Sequence, residues 1–360
     1  MNDRSVGHRM SFAAAPGVLP VTVQRKLIEH MECHPEVGLP LLHISHRSEW
    51  FKALVVDVER RMKRMLAIPQ DYRVLFLQGG ATLQFSLAPM NLGATAVDMI
   101  VAGYWSRRAV AEMTPVCGVT QRWSGDGRTL PEPAEVAGQG TGTLFYISNE
   151  TVEGMQFDYI PDYEGDIICD MSSDILSRPV EFSRYAIAYA HAQKQLGPPG
   201  LTVVVVRPDV IERSRHVGLP PMMTYAAHAD KNSIYNTPPC FQIYLQSLLF
   251  DWMEHEIGGV TAMQRRNREK AGRIFETIRR YETLYRVQIP QRWQSETNVA
   301  FHLPDVELER RFLREADEMG FYGLAGHRSV GGCRISLYNT VEPEHVELLA
   351  GWMEDFAGRA

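Results

Sequence analysis

Six short apolar runs between about residues 70 and 210 constrain the fold of this chain more than any other feature. They alternate with amphipathic or turn-rich segments and lie at residues 74–77, 99–102, 143–147, 167–169, 186–190 and 201–206. A strand made only of apolar residues has both faces buried, as in a mostly parallel sheet covered by helices. The runs therefore predict an α/β fold built around such a sheet.

Five residues suited to ligand binding, by a functional side chain or by the absence of one, fall at or just beyond the carboxyl ends of these predicted strands. They are Gly79, Trp105, Asn149, Asp170 and Lys194. In open α/β sheets, ligands bind at the edge formed by the carboxyl ends of the strands. The pattern therefore predicts a ligand site at this edge.

Lys194 has the least ordinary position, because it follows an apolar run and lies shortly before the turn at residues 197–200. Such a lysine more often extends its amine to solvent from a strand end. A desolvated amine, however, loses its proton readily and can form a Schiff base. Asp170 ends the preceding apolar strand and adds a carboxylate at the same edge. A lysine that binds an aldehyde and an acid that keeps a pyridine nitrogen protonated are what pyridoxal phosphate requires.

Seven short motifs follow one another in a single order from about Ser11 to the C-terminus. They are SHRS at 45–48, FLQGGATLQF at 76–85, SNET at 148–151, DMSS at 170–173, AQK at 192–194, NTPP at 236–239 and GHRSVGG at 326–332. Together they resemble the phosphoserine aminotransferases, a class-V family of fold-type I enzymes of pyridoxal phosphate. The resemblance implies a doubly wound fold and transamination between L-glutamate and 3-phosphohydroxypyruvate. The products would be O-phospho-L-serine and 2-oxoglutarate, in serine biosynthesis.

A turn of small residues, Gly79-Gly80-Ala81-Thr82, follows one predicted strand and precedes an amphipathic segment. Small residues let backbone amides approach a phosphate, and a helix N-terminus adds favourable partial charge. Two glycines alone indicate only a strand-to-helix turn. The resemblance implies that Ala81 and Thr82 bind the cofactor phosphate, together with Gln193.

The remaining cofactor residues rest on the resemblance. A lone tryptophan is more often a core residue, but the resemblance implies that Trp105 stacks on the pyridine ring and that Thr151 bonds its phenolic oxygen. The NTPP motif predicts a loop, since its prolines disfavour a helix or a central strand. In the resembled family, residues matching Asn236 and Thr237 reach the phosphate of the partner subunit's cofactor. A homodimer with shared active sites is therefore implied.

Scattered cationic residues suit the recognition of small anions. The guanidinium fork of Arg334, on a predicted alternating strand, matches a carboxylate, and the resemblance assigns it to the substrate α-carboxylate. The pairs His46-Arg47 and His327-Arg328 are individually ordinary. Brought together across a dimer interface, they would suit a phosphate dianion or a side-chain carboxylate. One pocket could then accept both glutamate and a phosphorylated 2-oxo acid.

The chain departs from the family pattern at four places. Ala15 and Tyr104 replace a glycine and a small residue, His191 replaces a glycine, and Gln195-Leu196 replaces Asn-Ile. None removes an expected cofactor contact, but they leave the acceptor open. The alternative is a paralogue acting on another phosphorylated or acidic 2-oxo acid, such as the 4-phosphohydroxythreonine precursor of vitamin B6 synthesis. A desulfurase using Cys333, a glyoxylate aminotransferase and a catalytically silent binding protein are further alternatives.

Composition excludes several classes of protein. A net charge of −6 gives no reason to expect a nucleic-acid partner. No run of about 18 apolar residues predicts a membrane helix, and the polar residues 1–9 do not resemble a signal peptide. Five widely spaced cysteines argue for a reducing compartment and against disulfides or a metal site. We therefore expect a cytoplasmic protein without a metal.

After about residue 240, the spacing of apolar residues changes from short continuous runs to a mainly helical pattern. Helical spacing predicts helices at residues 242–257, 262–286, 306–319 and 343–356, and a strand at 299–303. The chain is long enough for two domains. We expect a large cofactor-binding domain at residues 1–250 and a small α/β domain at 251–360, which the N-terminal segment could complete.

Overall fold

A computed structural model describes residues 9–360 of the chain. Helices are α1 Val21–Glu32, α2 Glu49–Met65, α3 Gly80–Leu92, α4 Tyr104–Met113, α5 Pro133–Val136, α6 Pro208–Ser214, α7 Tyr225–Asp230, α8 Cys240–Trp252, α9 Val260–Arg280, α10 Val306–Glu318 and α11 Pro343–Ala357. Strands are β1 Met10–Ser11, β2 Arg73–Leu77, β3 Ala96–Val101, β4 Gly118–Ser124, β5 Thr143–Ile147, β6 Asn149–Glu150, β7 Met155–Gln156, β8 Asp166–Asp170, β9 Ile187–His191, β10 Thr202–Val206, β11 Asn298–Phe301, β12 Phe321–Tyr322 and β13 Cys333–Ser336. Short 3-10 helices lie at Leu41–His43, Phe182–Arg184, Pro221–Met223 and Gln291–Trp293.

A seven-stranded sheet in the order β2-β10-β9-β8-β5-β3-β4 forms the centre of the fold. Neighbouring strands in the series β9-β8-β5-β3-β4 pair in parallel. Strand β10 runs antiparallel to both of its neighbours, β2 and β9. The predicted mostly parallel sheet is confirmed, and each of the six apolar runs forms one of its strands. The seventh strand, β4, was missed because it lies at the sheet edge and its residues are largely exposed.

Both faces of the sheet are covered by helices, as the continuous apolar runs require. Val74 and Phe76 of β2 belong to a core cluster that includes residues of α1, α2 and α8. Leu75 and Leu77, which point to the opposite face, belong to a cluster that includes residues of α3, α4, α6 and α7. Consecutive side chains of one strand therefore enter two different cores.

The C-terminal helices α9, α10 and α11 surround the antiparallel pair of β11 and β13. The N-terminal strand β1 pairs with β12, and Phe12 is buried in the same core cluster. The N-terminal segment thus packs on the C-terminal part of the chain. A domain boundary near residue 250 stays a prediction. The polar segment that argues against a signal peptide lies, at residues 1–8, outside the described residues.

Two predicted helix ends were wrong. The helix predicted at 242–257 is α8 followed by a π-helical turn at Met253–Ile257. The helix predicted at 262–286 begins at Val260 but ends at Arg280. Arg286 cannot be helical, because its backbone N–H and C=O pair with those of His302.

Within residues 9–360, no helix combines the length and the apolar character that a membrane crossing would need. The same part of the chain holds no cluster of three or more histidine, cysteine or carboxylate side chains suited to a metal ion.

Candidate active site

A cavity of about 320 Å³ opens at the carboxyl ends of β2, β5, β8 and β9. This is the edge where the sequence predicts a ligand site. The cavity is lined by Gly79, Gly80, Ala81, Thr82, Phe85, Trp105, Ile147, Asn149, Asp170, Ser172, Ser173, His191, Gln193 and Lys194.

Lys194 lies in the turn that follows β9, and its Nζ is 5.6 Å from the centroid of the Trp105 ring. Burial lowers the pKa of Lys194 to about 8, with Asp170 opposing this shift and Arg334 adding to it. The backbone of the same turn is held from the N-terminal segment, where the N–H of Gly17 donates to the carbonyl oxygen of Gln193 at 2.7 Å. A Cβ at position 17 would lie 2.2 Å from the Lys194 carbonyl oxygen, so only glycine permits this approach.

Asp170 ends β8 and is buried at the floor of the cavity. Its Oδ1 accepts a hydrogen bond from the backbone N–H of Ser172 at 2.8 Å. Burial raises the pKa of Asp170, while that hydrogen bond and the Lys194 ammonium oppose the rise. The site therefore holds one buried carboxyl and one half-buried amine, which line a single cavity.

The glycine turn connects β2 to α3. Gly79 and Gly80 adopt φ values of 101° and 76°, which a residue with a side chain rarely takes. Since α3 begins at Gly80, the amides of its first turn have no partner within the helix. Ala81 and Thr82 carry such amides beside the cavity, where they can bind an anion.

Trp105 stands in the first turn of α4, and its Nε1 donates to Oγ1 of Thr151 at 3.2 Å. Two carboxylates hold this turn. Glu150 accepts from the backbone N–H groups of Trp105 and Ser106 at 3.1 and 2.9 Å, and Glu153 accepts from that of Tyr104 at 2.7 Å. Burial, together with Glu150, raises the pKa of Glu153 to about 7.

Arg334 is buried in β13, and its Nη1 donates to the backbone carbonyl oxygen of Thr151 at 3.1 Å. All four residues of β13 are buried, so the predicted alternation of exposed and buried residues was wrong. The reason is that the strand lies between the C-terminal core and the Thr151 segment rather than at a surface. Burial lowers the pKa of Arg334.

His327 follows β12, and its ring centroid lies 4.6 Å from that of Tyr104. Its Nδ1 is 2.6 Å from the Ser329 hydroxyl. Burial and the nearby charges of Arg334 and Arg328 lower the pKa of His327. His327 therefore packs on Tyr104, the neighbour of Trp105 in the chain, but does not itself line the cavity.

Eight of the predicted site residues are not among those that line the cavity of their own chain. Thr151, Arg334 and His327 are described above, and Arg328 is exposed. The other four are His46, Arg47, Asn236 and Thr237. Arg47 is exposed, and Nε2 of His46 is buried without a hydrogen-bond partner among the described residues. Asn236 donates from Nδ2 to Oε1 of Gln78 at 3.4 Å, and Thr237 is exposed. Among the described residues of one chain, no hydrogen bond or ring contact joins the two His-Arg pairs.

Residues 11–349 match the model of the family described as aminotransferase class-V. The chain is 41% identical to the phosphoserine aminotransferase of Laribacter hongkongensis, over 97% of this chain and 98% of that protein. It is 42% identical to the phosphoserine aminotransferase of Geobacillus kaustophilus, over 97% of this chain and 98% of that protein.

The chain belongs to the phosphoserine aminotransferase family.

Solved structures of this family share its fold. The phosphoserine aminotransferase from Bacillus circulans subsp. alkalophilus superposes with a TM-score of 0.93 at 37% identity, covering 97% of this chain and 98% of the other. The PLP-bound phosphoserine aminotransferase from Trichomonas vaginalis gives a TM-score of 0.87 at 31% identity, covering 96% and 100%. The predicted family, the fold-type I architecture and the aminotransferase class are confirmed.

Sequence reasoning missed three residues whose hydrogen bonds hold the site of this family member. Glu150 and Glu153 were not assigned a role, although Gly103 before α4 has no side chain to cap that helix and a partner was needed. Gln195, one of the departures from the family pattern, donates to the carbonyl oxygen of Ser173 at 2.6 Å and accepts from the N–H of Asn339 at 2.8 Å. It ties the Lys194 turn to the C-terminal part of the chain.

Proposed function

We propose that this chain is a pyridoxal-phosphate-dependent transaminase that exchanges an amino group between L-glutamate and 3-phosphohydroxypyruvate. The products are O-phospho-L-serine and 2-oxoglutarate, as in serine biosynthesis. One observation carries this proposal: Lys194, with a pKa lowered to about 8, and the buried carboxyl of Asp170 line the same cavity. The family to which the chain belongs supports the assignment of both substrates.

The residues of the cavity fit pyridoxal phosphate. The amides of Ala81 and Thr82 stand at a helix N-terminus, which suits a phosphate. Gln193 lines the cavity beside that turn, and its side-chain Oε1 is buried without a hydrogen-bond partner among the described residues. Its side-chain amide nitrogen is the group that can donate to a phosphate. We assign the phosphate to these three residues, the ring face to Trp105, the phenolic oxygen to Thr151, the ring nitrogen to Asp170 and the aldehyde to Lys194.

When bound, pyridoxal phosphate supplies a protonated pyridine ring that accepts the electrons left on the α-carbon after its proton is removed. Asp170 keeps the ring nitrogen protonated, because its carboxylate is shielded from water and faces the cavity. Nζ of Lys194 removes the α-proton of the amino donor, and in the reverse half-reaction it returns a proton to the α-carbon of the product. A pKa of about 8 allows this amine to hold and release a proton near neutral pH.

Substrate recognition falls to the cationic residues. Arg334 binds the α-carboxylate, since its buried guanidinium keeps donors beyond the one that contacts Thr151. His327 and Arg328, with His46 and Arg47 of the partner subunit, bind the phosphate of one substrate and the side-chain carboxylate of the other.

We infer that the protein is a homodimer with shared active sites. Thr237 is exposed, and Asn236 borders an apolar groove of about 210 Å³ next to the glycine turn rather than the cavity itself. Leu83 and Met222, which line that groove, are 43% and 44% exposed. Such apolar exposure favours a protein interface. We also propose a cytoplasmic location, because all five cysteines are unpaired, and a domain boundary near residue 250.

Near-visible absorbance of the purified protein tests the proposal directly. A band from the cofactor linked to Lys194 that converts to the amine form on addition of O-phospho-L-serine supports cofactor, half-reaction and substrate together. A band that responds to glutamate but not to O-phospho-L-serine would reject the named acceptor. Absence of any band, even with added pyridoxal phosphate, would reject the proposal as a whole.

A second acceptor substrate is favoured by His191 and Tyr104, two residues at which the chain departs from the family pattern. His191 lines the cavity, and Tyr104 contacts His327. The 4-phosphohydroxythreonine precursor is the candidate, and steady-state comparison of both acceptors separates the two. A desulfurase is disfavoured, because Cys333 is buried and burial raises the pKa of its thiol well above the usual value.

A further inference from the structure

His191 is the last residue of β9 and contributes an imidazole to the cavity wall. Thr202 on the neighbouring strand β10 pairs with both His191 and Leu77, the last residue of β2. The Thr202 hydroxyl also accepts from the N–H of Gly80 at 3.0 Å. These pairings place the imidazole of His191 beside the glycine turn of residues 79–82.

One face of the imidazole packs on this turn, with Nδ1, Cε1 and Cγ as the ring atoms nearest to Gly80. Cε1 and Nδ1 lie 3.7 and 3.8 Å from the position that a Cβ on Gly80 would occupy. On the other side of the ring, the backbone N–H of Gly200 donates to Nε2 at 3.4 Å. A nitrogen that accepts a hydrogen bond carries no proton, so the neutral imidazole has its proton on Nδ1. The neutral ring therefore carries its donor N–H on Nδ1, the ring nitrogen that is nearer to Gly80.

We propose that His191 donates a hydrogen bond from Nδ1 to the anion held at the glycine turn. The inference rests on the proposed function, because that function identifies this anion as the cofactor phosphate. His191 then adds a side-chain donor to the backbone amides of Ala81 and Thr82. The turn at residues 197–200 acquires a role as well, since Gly200 sets the tautomer that makes Nδ1 the donor.

The charged groups around His191 agree with a neutral donor. Within the cavity, the other titratable side chains are Asp170 and Lys194. Burial and the Lys194 ammonium lower the pKa of His191, so the ring is neutral at neutral pH and donates without needing a second proton. A bound phosphate dianion favours the protonated ring and opposes this shift. The contribution of His191 to binding a phosphate should therefore grow as the pH falls.

Equilibrium binding to the apoprotein tests the inference. His191→Phe keeps a ring of similar size and removes the donor. We expect it to weaken pyridoxal phosphate about tenfold, as loss of one hydrogen bond to a charged group would, and to change the affinity for pyridoxal, which lacks the phosphate, by less than about twofold. His191→Gln, whose amide can donate, should recover part of the affinity. His216→Phe, at a side chain that is 77% exposed, is the matched control.

Wild-type affinity for pyridoxal phosphate in His191→Phe would overturn the inference. Equal losses for pyridoxal phosphate and pyridoxal would also overturn it, because they would indicate packing rather than a phosphate contact. Failure of the wild-type apoprotein to bind pyridoxal phosphate would instead overturn the proposed function. In that case, the ¹⁵N resonance of His191 Nδ1 is followed while inorganic phosphate is added. A shift keeps His191 as an anion contact, and no shift rejects it.

Discussion

Nη1 of Arg334 donates a hydrogen bond to the backbone carbonyl oxygen of Thr151 at 3.1 Å. The side chain of Thr151 accepts in turn from Nε1 of Trp105, whose ring faces Lys194. A chain of contacts thus connects Arg334 on β13, through Thr151 and Trp105, to the amine of Lys194. Because this chain of contacts sets where Arg334 stands relative to Lys194, it determines where the α-carbon of a bound amino acid would lie.

Arg334→Lys should lower kcat/KM by about 100-fold for both amino donors, because an ammonium retains the charge but loses the bidentate fork. Steady-state kinetics with L-glutamate and O-phospho-L-serine measure this effect. Arg310→Lys, at a side chain that is 72% exposed, is the control and should leave both values unchanged. A normal kcat/KM in Arg334→Lys would remove Arg334 from the α-carboxylate site.

Lys194→Ala should lower kcat by at least about 10³-fold, since both the nucleophile and the general base are lost. Far-ultraviolet circular dichroism should show an unchanged fold. Lys52→Ala, at an exposed lysine of α2, should behave as wild type in both measurements. Full activity in Lys194→Ala would reject the mechanism.

Capture of pyridoxal phosphate by the apoprotein should accelerate as the pH rises, with a midpoint near the Lys194 pKa of about 8. The sign follows from the chemistry, because only the neutral amine attacks the aldehyde. Asp170 raises the pKa of Lys194, so Asp170→Asn should move the midpoint to lower pH. Stopped-flow absorbance between pH 6 and pH 10 measures both, and an unmoved midpoint in Asp170→Asn would contradict this coupling.

Glu153→Gln should make the protein more stable at pH 7.5 but not at pH 4.5. Its folded-state pKa of about 7 lies above the usual value of 4.5, so the folded state binds more protons in this window and stability falls as the pH rises through it. Gln removes this loss, which is at most about 3 kcal/mol at pH 7.5. Urea unfolding at the two pH values measures it. A parallel pH dependence in variant and wild type would contradict the assignment.

Mixing two inactive variants tests whether the active sites are shared. In a mixed dimer of Lys194→Ala and Arg47→Ala chains, one of the two sites would combine an intact Lys194 with an intact Arg47 of the other subunit. Random exchange of subunits should then restore activity towards about a quarter of the wild-type value. Equilibration of the mixed variants followed by an activity assay measures this recovery. No recovery, with exchange shown by native mass spectrometry, would place both residues in the site of one chain.

The sequence predicts much of the fold because continuous apolar runs of three to six residues, bounded by turns, have few alternatives to a buried strand. Strand β4 escaped prediction, since an edge strand with exposed residues carries no such run. The helix ends near residues 257 and 280 were wrong because a π-helical turn and a bridge to His302 changed the local pattern.

For the candidate site, the sequence by itself determined the positions of Lys194 and Asp170, because strand ends can be read locally and the parallel sheet brings them to one edge. Only the tertiary structure decided what surrounds them. The carboxylates of Glu150 and Glu153 that hold the start of α4, the approach of His327 to Tyr104 and the imidazole of His191 beside Gly80 all join residues far apart in the chain. Their geometry and the resulting pKa shifts depend on burial and on neighbours from other elements, and no local pattern of residues encodes either.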